Sequence, residues 1–308
     1  MAQPLFDETT RRKLEQVMLI AAQVRSGAIK GERRSVKRGS SIEFADYRDY
    51  TPGDDLRRVD WNVYARLDRP LTKLFEDEED LAVHLILDAS ASMGAAAVPS
   101  VGGIPADEPS ASAVSKFDYA RRLIAGLGTV ALTTNDRLTI TALGGGKGVF
   151  GPARGRAYSA RLLQFMQGQT AGGEVDLNTA LKAYAQRAGR SGLCVIVSDL
   201  FAPSGILDGL NALVGKGYEV GVIHVLSPDE IDPPLVGDLR LVDAETGEFQ
   251  EVTIDEPMRA LYKARLTAWQ NELGVECRKR GAHFLPVRSD GAWEKVILYD
   301  LRRVGLVR

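Results

Sequence analysis

The chain has 308 residues, of which 44% are hydrophobic and 26% are charged, and its formal net charge is −2. These fractions are typical of a globular protein with a sizeable core, and they exclude a disordered chain. The near-zero charge argues against a nucleic-acid binder, and no stretch approaches the ~18 apolar residues of a membrane span. Since no secretory signal is recognisable either, we expect a cytoplasmic protein without a membrane span.

The first predicted element is an N-terminal helix over residues 8–26. Apolar side chains from Leu14 to Val24 recur at the three- and four-residue spacing of a helix. Residues 27–80 lack this periodicity and carry a basic stretch followed by acidic and aromatic residues. We therefore expect residues 1–80 to form a helix and an extended segment that wraps around the main domain.

Residues 81–308 are predicted to form one α/β domain, because apolar runs of strand length alternate with helical segments. The predicted strands cover residues 81–87, 138–143, 149–150, 193–198, 219–226 and 283–287. The predicted helices cover residues 116–134, 156–168, 177–188, 204–215, 257–280 and 292–304. This alternation indicates a doubly wound, mostly parallel sheet flanked by helices. A hairpin around residues 245–247 would be an antiparallel excursion at one edge of that sheet.

Residues 94–115 interrupt this regular pattern. Glycine, alanine, proline and serine dominate the segment, which directly follows the first strand of the domain. Such a composition is typical of a flexible, low-complexity loop. We therefore predict a flexible insertion here, next to the edge of the sheet.

The strongest chemical signal lies at the end of the first predicted strand of the domain. Asp88, Ser90 and Ser92 alternate in the sequence DASASMG. Ligand sites of open α/β sheets lie at the carboxyl ends of the strands. One carboxylate and two hydroxyls on a tight loop at that edge suit Mg²⁺ or Mn²⁺. The alternative is a polar turn that binds no metal.

A second aspartate follows another buried strand. Asp199 ends the sequence LCVIVSD, and adjacent parallel strands would bring it to the edge that carries Asp88. A carboxylate there would be able to orient a metal-bound water or a serine hydroxyl. The alternative is that Asp199 caps the helix at 204–215, but it lies several residues before that helix begins.

These motifs resemble those of known families. DASASMG and the later SDLF are similar to the metal-ion-dependent adhesion site of von Willebrand factor A domains. Residues 39–66, GSSIEFADYRDYTPGDDLRRVDWNVYAR, resemble the signature of the bacterial domain-of-unknown-function family 58. The resemblance implies a von Willebrand A-like sheet flanked by helices, an Mg²⁺-type site and a binding role. It also implies frequent pairing with MoxR-type AAA+ ATPases.

The sequence departs from that family at one corner of the metal site. The family usually has a threonine shortly after a Gly-Gly pair, and the alignment places Val175 at this position, after Gly172 and Gly173. Because valine offers no oxygen, we expect either that Asp176 replaces the threonine or that the site is weak or vestigial. The candidate metal ligands are therefore Asp88, Ser90, Ser92, Asp176 and Asp199.

The signature segment carries alternating charges around a tryptophan. These residues are Asp54, Asp55, Arg57, Arg58, Asp60 and Trp61. They would form either an ion-pair network that clamps residues 27–80 to the core or a surface for a partner. We favour the clamp, because alternating charges around a tryptophan suit packing within one chain.

The sequence lacks the signatures of several enzyme classes. It contains no GxxxxGK[ST] and no GxSxG, and Ser90 stands where a haloacid-dehalogenase-like phosphatase would have its second aspartate. We therefore predict no catalytic residues and a non-catalytic adaptor. It would bind a protein partner at the metal edge and work with a MoxR-type ATPase. The alternatives are a metal-dependent hydrolase at the same edge and a structural module with a vestigial site.

Overall fold

The computed structural model describes residues 5–21, 42–77, 81–94, 100–101, 104–105, 115–145, 148–187, 189–234, 237–243 and 245–308. The chain divides into two compact units. The larger unit contains the described residues up to 21 together with those from 81 onward, and the smaller unit lies within residues 31–80. The N-terminal helix thus belongs to the same unit as the sheet.

Helix α1 extends over Glu8–Leu14 and is much shorter than the predicted range 8–26. Asp7 begins it by accepting a hydrogen bond from the Thr10 amide at 2.8 Å. After α1 the chain leaves the helical conformation, and Leu19 forms an antiparallel bridge with Val307. The prediction is wrong for residues 15–21, because their apolar spacing reflects burial in a bridged segment and not a helix, whereas residues 22–26 lie outside the described residues.

The smaller unit contains a two-stranded sheet and a short helix. Strand β1 (Ile42–Asp49) pairs antiparallel with β2 (Leu71–Asp77). Between them lie a 3₁₀ turn at Leu56–Arg58 and helix α2 at Trp61–Leu67. The expectation of extended segments and turns is wrong for α2, since a helix of seven residues is too short to establish a clear period.

Most of the strands of the larger unit form its central sheet. In chain order, the described strands are β3 (Ala82–Ala89), β4 (Ser100–Val101), β5 (Ile104–Pro105), β6 (Arg137–Gly144), β7 (Gly148–Ala153), β8 (Leu193–Ser198), β9 (Glu219–Leu226), β10 (Gly237–Val242), β11 (Phe249–Ile254) and β12 (His283–Arg288). The central sheet has six strands in the order β12-β9-β8-β3-β6-β7. Its neighbouring strands are parallel except for β7, which runs antiparallel to β6.

The remaining strands form two separate antiparallel pairs, β4 with β5 and β10 with β11. The pair β10–β11 is the hairpin predicted around residues 245–247. Its predicted place at an edge of the central sheet is wrong, because, among the described strands, β10 and β11 pair only with each other, in a sheet of their own.

Helices connect the parallel strands. In chain order, they are α3 (Ala91–Gly94), α4 (Lys116–Thr133), α5 (Ser159–Gln167), α6 (Leu177–Arg187), α7 (Leu207–Gly215), α8 (Pro228–Ile231), α9 (Glu256–Lys279), α10 (Trp293–Lys295) and α11 (Leu301–Arg303). A 3₁₀ turn precedes α5, and a π-helical turn joins α10 to α11. The predicted α/β class with a mostly parallel sheet flanked by helices is confirmed.

The core lies on both faces of the central sheet. Along β3, Val83, Leu85 and Leu87 pack into one apolar cluster with α4 and the C-terminal helical turns. Ile86 points the other way, into a second cluster with α6 and α7. Alternate side chains of a strand point to opposite faces, so this strand is buried on both sides. Because β3, β6, β8, β9 and β12 are parallel, the loops at their carboxyl ends lie at the same edge of the sheet.

Most of the predicted flexible insertion at 94–115 lies outside the described residues, apart from Gly94, the short pair β4–β5 and Ser115. Its predicted flexibility stays a prediction. Among the residues described, no helix has the length and hydropathy needed to cross a membrane.

Candidate functional site

Asp88 lies at the carboxyl end of β3, beside the end of β8. The two strands are in parallel register, with Leu87 opposite Val197, so Asp88 and Ser198 are neighbours across the sheet. The Ser198 hydroxyl donates to Asp88 Oδ2 at 2.5 Å, and the Ser90 amide donates to Asp88 Oδ1 at 3.0 Å. These bonds fix the carboxylate at the predicted edge of the sheet.

The two serines of the motif follow Asp88, with Ser90 between β3 and α3 and Ser92 in the single turn of α3. Ser90 is buried and Ser92 is half-buried, and their hydroxyl oxygens lie 3.0 Å apart. The structure therefore brings together three of the predicted ligands, Asp88, Ser90 and Ser92. Their side chains supply one carboxylate and two hydroxyls within five residues.

The Asp88 carboxyl is in an unfavourable place for a negative charge. It is only 2% exposed, and burial together with the charge of Asp199 raises its pKa to about 6. No lysine or arginine of the described chain forms an ion pair with it. A bound cation would relieve this charge, so the electrostatics at Asp88 favour cation binding.

Two glycine-containing loops hold the loop 88–92 in place. The Ala89 carbonyl accepts hydrogen bonds from the amides of Gly145, at 3.2 Å, and Gly172, at 2.8 Å. The Ala91 amide donates to the Gly173 carbonyl at 2.9 Å. Gly172 and Gly173, the Gly-Gly pair before Val175, thus lie against the Asp88 loop.

The two candidates for the third corner of the site have other roles. Val175 is buried in the apolar cluster that contains Ile86 and Leu177. Asp176 accepts hydrogen bonds from the Thr179 amide and hydroxyl, both at 3.0 Å, and from the Ser204 hydroxyl at 2.8 Å. These bonds lower the pKa of Asp176 and make it a cap for the first turn of α6. Its described hydrogen bonds do not reach Asp88.

Asp199 lies at the same edge of the sheet as Asp88, as predicted, and its carboxylate forms an ion pair with a lysine. Lys116 Nζ lies 2.7 Å from Asp199 Oδ2 and also contacts the carboxylate of Glu230. The other oxygen, Oδ1, accepts a hydrogen bond from the Phe201 amide at 3.2 Å. Asp199 does not cap the next helix, since α7 begins at Leu207.

The backbone after Asp199 is strained. Leu200 has φ 59°, a left-handed conformation that is unusual for a residue other than glycine. Its amide donates to the Ser198 hydroxyl at 2.9 Å, which helps to hold this conformation. Such strain is concentrated at functional sites in proteins, and here it lies directly beside the two aspartates.

Aromatic side chains cover the Lys116 side of this edge. Phe201 is 42% exposed and stacks on Trp269, with ring centroids 5.6 Å apart, and the Lys116 ammonium lies 5.3 Å from the Phe201 ring. Beneath them, His224 Nε2 hydrogen-bonds to the Asp199 carbonyl at 3.0 Å. Burial lowers the pKa of His224 to about 4, so its ring is neutral at pH 7.

Sequence reasoning missed three residues of this edge: Ser198, Lys116 and Glu230. Ser198 was detectable in principle, because it is a polar residue at the end of an apolar strand. Lys116 gives a weaker signal, as a lysine at the start of a helix, where a positive charge is disfavoured. Its pairing with carboxylates 83 and 114 positions away follows only from the fold.

The residues at the edge fit part of a magnesium shell. Asp88, Ser90 and Ser92 offer three hard oxygen atoms, and Mg²⁺ commonly keeps several waters for its remaining positions. Asp199 is paired with Lys116, and Val175 has no oxygen to offer. In the described part of the chain, no group of three or more histidine, cysteine, aspartate or glutamate residues has metal-binding geometry. Among the described residues, a single carboxylate would therefore hold such an ion.

The fold and this edge define an α/β protein with a polar loop at the carboxyl edge of a mostly parallel sheet. The chain belongs to the family described as "Protein of unknown function DUF58", which matches residues 46–272. The membership implied by the signature at residues 39–66 is thereby confirmed.

Similar proteins occur in mycobacteria. The chain is 29% identical over 284 residues to "Uncharacterized protein Rv1480" of Mycobacterium tuberculosis, covering 91% of this chain and 85% of that protein. It is 36% identical over 118 residues to "Uncharacterized protein MAV169" of Mycobacterium avium, covering 38% of this chain and 69% of that protein.

Two solved structures from Bacteroides are similar in part. The conserved hypothetical protein BatB of Bacteroides thetaiotaomicron has a TM-score of 0.41 at 16% identity, covering 73% of this chain and 98% of that chain. An aerotolerance-related membrane protein of Bacteroides fragilis has a TM-score of 0.41 at 18% identity, covering 72% of this chain and 99% of that chain.

Proposed function

We propose that this protein is a non-catalytic binding module of von Willebrand factor A-like architecture. Its sheet edge at Asp88 would hold Mg²⁺ or Mn²⁺ and, through the ion, a carboxylate of a protein partner. The observation that carries this proposal is the buried Asp88 carboxylate beside two serine hydroxyls, with no ion-pair partner in the described chain.

Each residue of the edge has a definite role in this proposal. Asp88 supplies the negative charge, and the hydroxyls of Ser90 and Ser92 supply further oxygen ligands. Ser198 orients the Asp88 carboxylate through its hydrogen bond to Oδ2. The ion, when bound, supplies a positive charge that attracts a carboxylate from outside, because it has few anionic ligands of its own.

We further propose that the partner is a MoxR-type AAA+ ATPase, acting in the cytoplasm. This part rests on the family resemblance and on the absence of common catalytic motifs from the sequence. Co-purification of the protein with the ATPase of its own organism, with Mg²⁺ or with EDTA, tests it. Association that depends on Mg²⁺ supports the proposal. The partnership is wrong if neither association nor a change in ATPase rate is observed.

Calorimetric titration of Mn²⁺ tests the metal site itself. We expect weak binding by the wild type and none by Asp88→Ala, which removes the one carboxylate. Val175→Thr adds the missing hydroxyl in a side chain of nearly the same shape. It should strengthen binding by ~1 kcal/mol, or roughly fivefold, if the hydroxyl reaches the ion.

Val175→Thr needs its own control, because Val175 is buried among apolar side chains. Its melting temperature shows whether the buried hydroxyl destabilises the fold. Tight wild-type binding with no change in Val175→Thr means that another oxygen fills the third corner and that the alignment there is wrong. If none of the proteins binds Mn²⁺, the site is vestigial and a partner must be recognised without a metal.

A further inference from the structure

We propose that the Lys116 ammonium is a built-in cation of this sheet edge that keeps Asp199 from binding a metal ion. In this arrangement the described residues of the edge offer a divalent ion one free carboxylate, that of Asp88. The inference rests on the proposed function in one respect, namely that the ion binds beside Asp88.

The Lys116 ammonium is buried, and carboxylates must compensate its charge there. Its side chain is 1% exposed, and Nζ lies 2.7 Å from Asp199 Oδ2 and contacts Glu230 Oε1. Removing an ammonium from water is costly unless it is paired and hydrogen-bonded. The two acids together meet this requirement, so the lysine and the acids depend on one another.

The position of Lys116 in its helix supports the same conclusion. It is the first residue of α4, an 18-residue helix. The amino end of a helix carries a partial positive charge, which disfavours an ammonium group. The two carboxylates must therefore outweigh both the burial and the helix dipole. A lysine that served only for helix formation would not be buried at this position.

Glu230, the second acid, is itself held firmly. Its Oε2 accepts a hydrogen bond from the Ser227 amide at 2.8 Å, as part of a capping box that begins α8. The Tyr262 hydroxyl donates to the Glu230 carbonyl at 2.5 Å. The ammonium is thus held between the end of β8 and the start of α8. A lysine in an exposed surface ion pair lacks such fixed partners.

Asp199 directly follows β8, beside the end of β3 that carries Asp88. Ser198, directly before Asp199, donates to the Asp88 carboxylate, and the charge of Asp199 acts electrostatically on Asp88. The affinity of an oxygen site for a divalent ion rises with the number of its carboxylates. Pairing with Lys116 therefore weakens the site.

This pairing has a consequence for the partner. An ion held by one carboxylate gains strongly from a second one, and an acidic side chain of the partner would supply it. Metal and partner would then strengthen each other's binding by the same factor. The edge would suit an acidic segment of a protein that binds only together with the ion.

Two matched double variants test the role of Lys116. Lys116→Met/Glu230→Gln and Lys116→Met/Asp199→Asn both remove the ammonium and one carboxylate, so the two have the same net charge as the wild type. Only the first leaves Asp199 free. We expect it to bind Mn²⁺ about tenfold tighter than the wild type, whereas the second should bind no tighter. Electron paramagnetic resonance of free Mn²⁺ measures the affinity, and melting temperatures confirm folding.

The outcomes separate this inference from the proposed function. Equal Mn²⁺ affinity of the two double variants, or no gain over the wild type in either, overturns the role of Lys116. A gain in the first variant alone supports it, even if the wild type binds no Mn²⁺ and the proposed function fails. If Lys116→Met/Glu230→Gln does not fold, Lys116→Gln/Glu230→Gln replaces it, because glutamine keeps a donor for Asp199 without the charge.

Discussion

At the scale of single residues, Ser198 holds the buried Asp88 carboxylate through a hydrogen bond. Its side chain is fully buried, and its hydroxyl both donates to Asp88 Oδ2 and accepts from the Leu200 amide. One oxygen atom therefore satisfies a buried carboxylate and the amide of a strained residue.

Ser198→Ala is expected to lower the free energy of unfolding by about 2–3 kcal/mol, because it leaves a buried carboxylate oxygen and a buried amide without this partner. Urea denaturation measures the change. Ser204→Ala is a matched control, since the Ser204 hydroxyl donates to the exposed Asp176, and its cost should stay below about 0.5 kcal/mol. Equal losses of unfolding free energy in the two variants would show that the Ser198 hydrogen bonds contribute little to stability.

The sequence allowed the position of several site residues to be predicted, but not their partners. Asp88, Ser90 and Ser92 are close in sequence, so the loop after β3 necessarily keeps them together. Asp199 was placed at the same edge because β8 was recognised as a second buried parallel strand. Its pairing with Lys116 was not predictable, because only the folded chain brings these distant segments together.

At the scale of elements, buried strands and long helices were predictable, whereas short elements were not. The prediction for β9 agrees at both ends, and that for α4 agrees within one residue. Helix α2 was missed because its stability depends on a local cap and not on a repeating apolar stripe. Helix α1 was predicted too long because side chains beyond it are buried without being helical.

The end of β6 lies directly against the Asp88 loop. Gly144 has φ +110°, and a Cβ atom there would lie 2.5 Å from the Ala89 carbonyl oxygen and 2.9 Å from the Ser90 amide nitrogen. Both neighbours are backbone atoms of the loop 88–92, which cannot move away without shifting the carboxylate and the serine hydroxyls. A glycine is therefore needed at this position for space as well as for conformation.

Gly144→Ala should cost more than about 2 kcal/mol, since a strained φ and a backbone clash act together. Gly205 also has a positive φ, +67°, but no atom lies within 4 Å of its Cβ position. Gly205→Ala should therefore cost only the conformational term of about 1–2 kcal/mol. Urea denaturation compares the two. A cost for Gly144→Ala no larger than that for Gly205→Ala would mean that the loop 88–92 yields easily.

At the scale of the whole molecule, each of the two units has buried side chains of its own. The larger unit buries extended apolar clusters on both faces of a sheet. In the smaller unit, the described side chains that are buried are those of Val59, Asp60 and Thr72. One of these three, Asp60, makes several polar contacts within the unit.

Asp60 is the centre of those polar contacts. Its carboxylate caps α2 by accepting from the amides of Asn62 and Val63, at 3.0 and 3.2 Å. It also accepts from the Tyr47 hydroxyl at 2.9 Å and pairs with Lys73 at 3.0 Å. Thus one signature acid joins β1, α2 and β2 within the smaller unit. The predicted clamp between the signature segment and the core stays a prediction.

The stability of the smaller unit should depend on pH through Asp60. The Lys73 ammonium and the capped amides lower its pKa from 3.8 to about 2, so the folded unit favours the ionised form. This stabilisation is complete above the pKa of Asp60 in the unfolded chain and is lost as the pH falls through its pKa in the folded unit.

Asp60→Asn tests this pH dependence, because asparagine keeps a capping side chain but removes the charge. We expect faster amide exchange in α2 than in the wild type at pH 6, and a smaller difference at pH 3. Asp55→Asn, which alters an exposed cap of the 3₁₀ turn, should have little effect at either pH. An unchanged difference between Asp60→Asn and the wild type from pH 6 to pH 3 would show that the ionised carboxylate does not stabilise this unit.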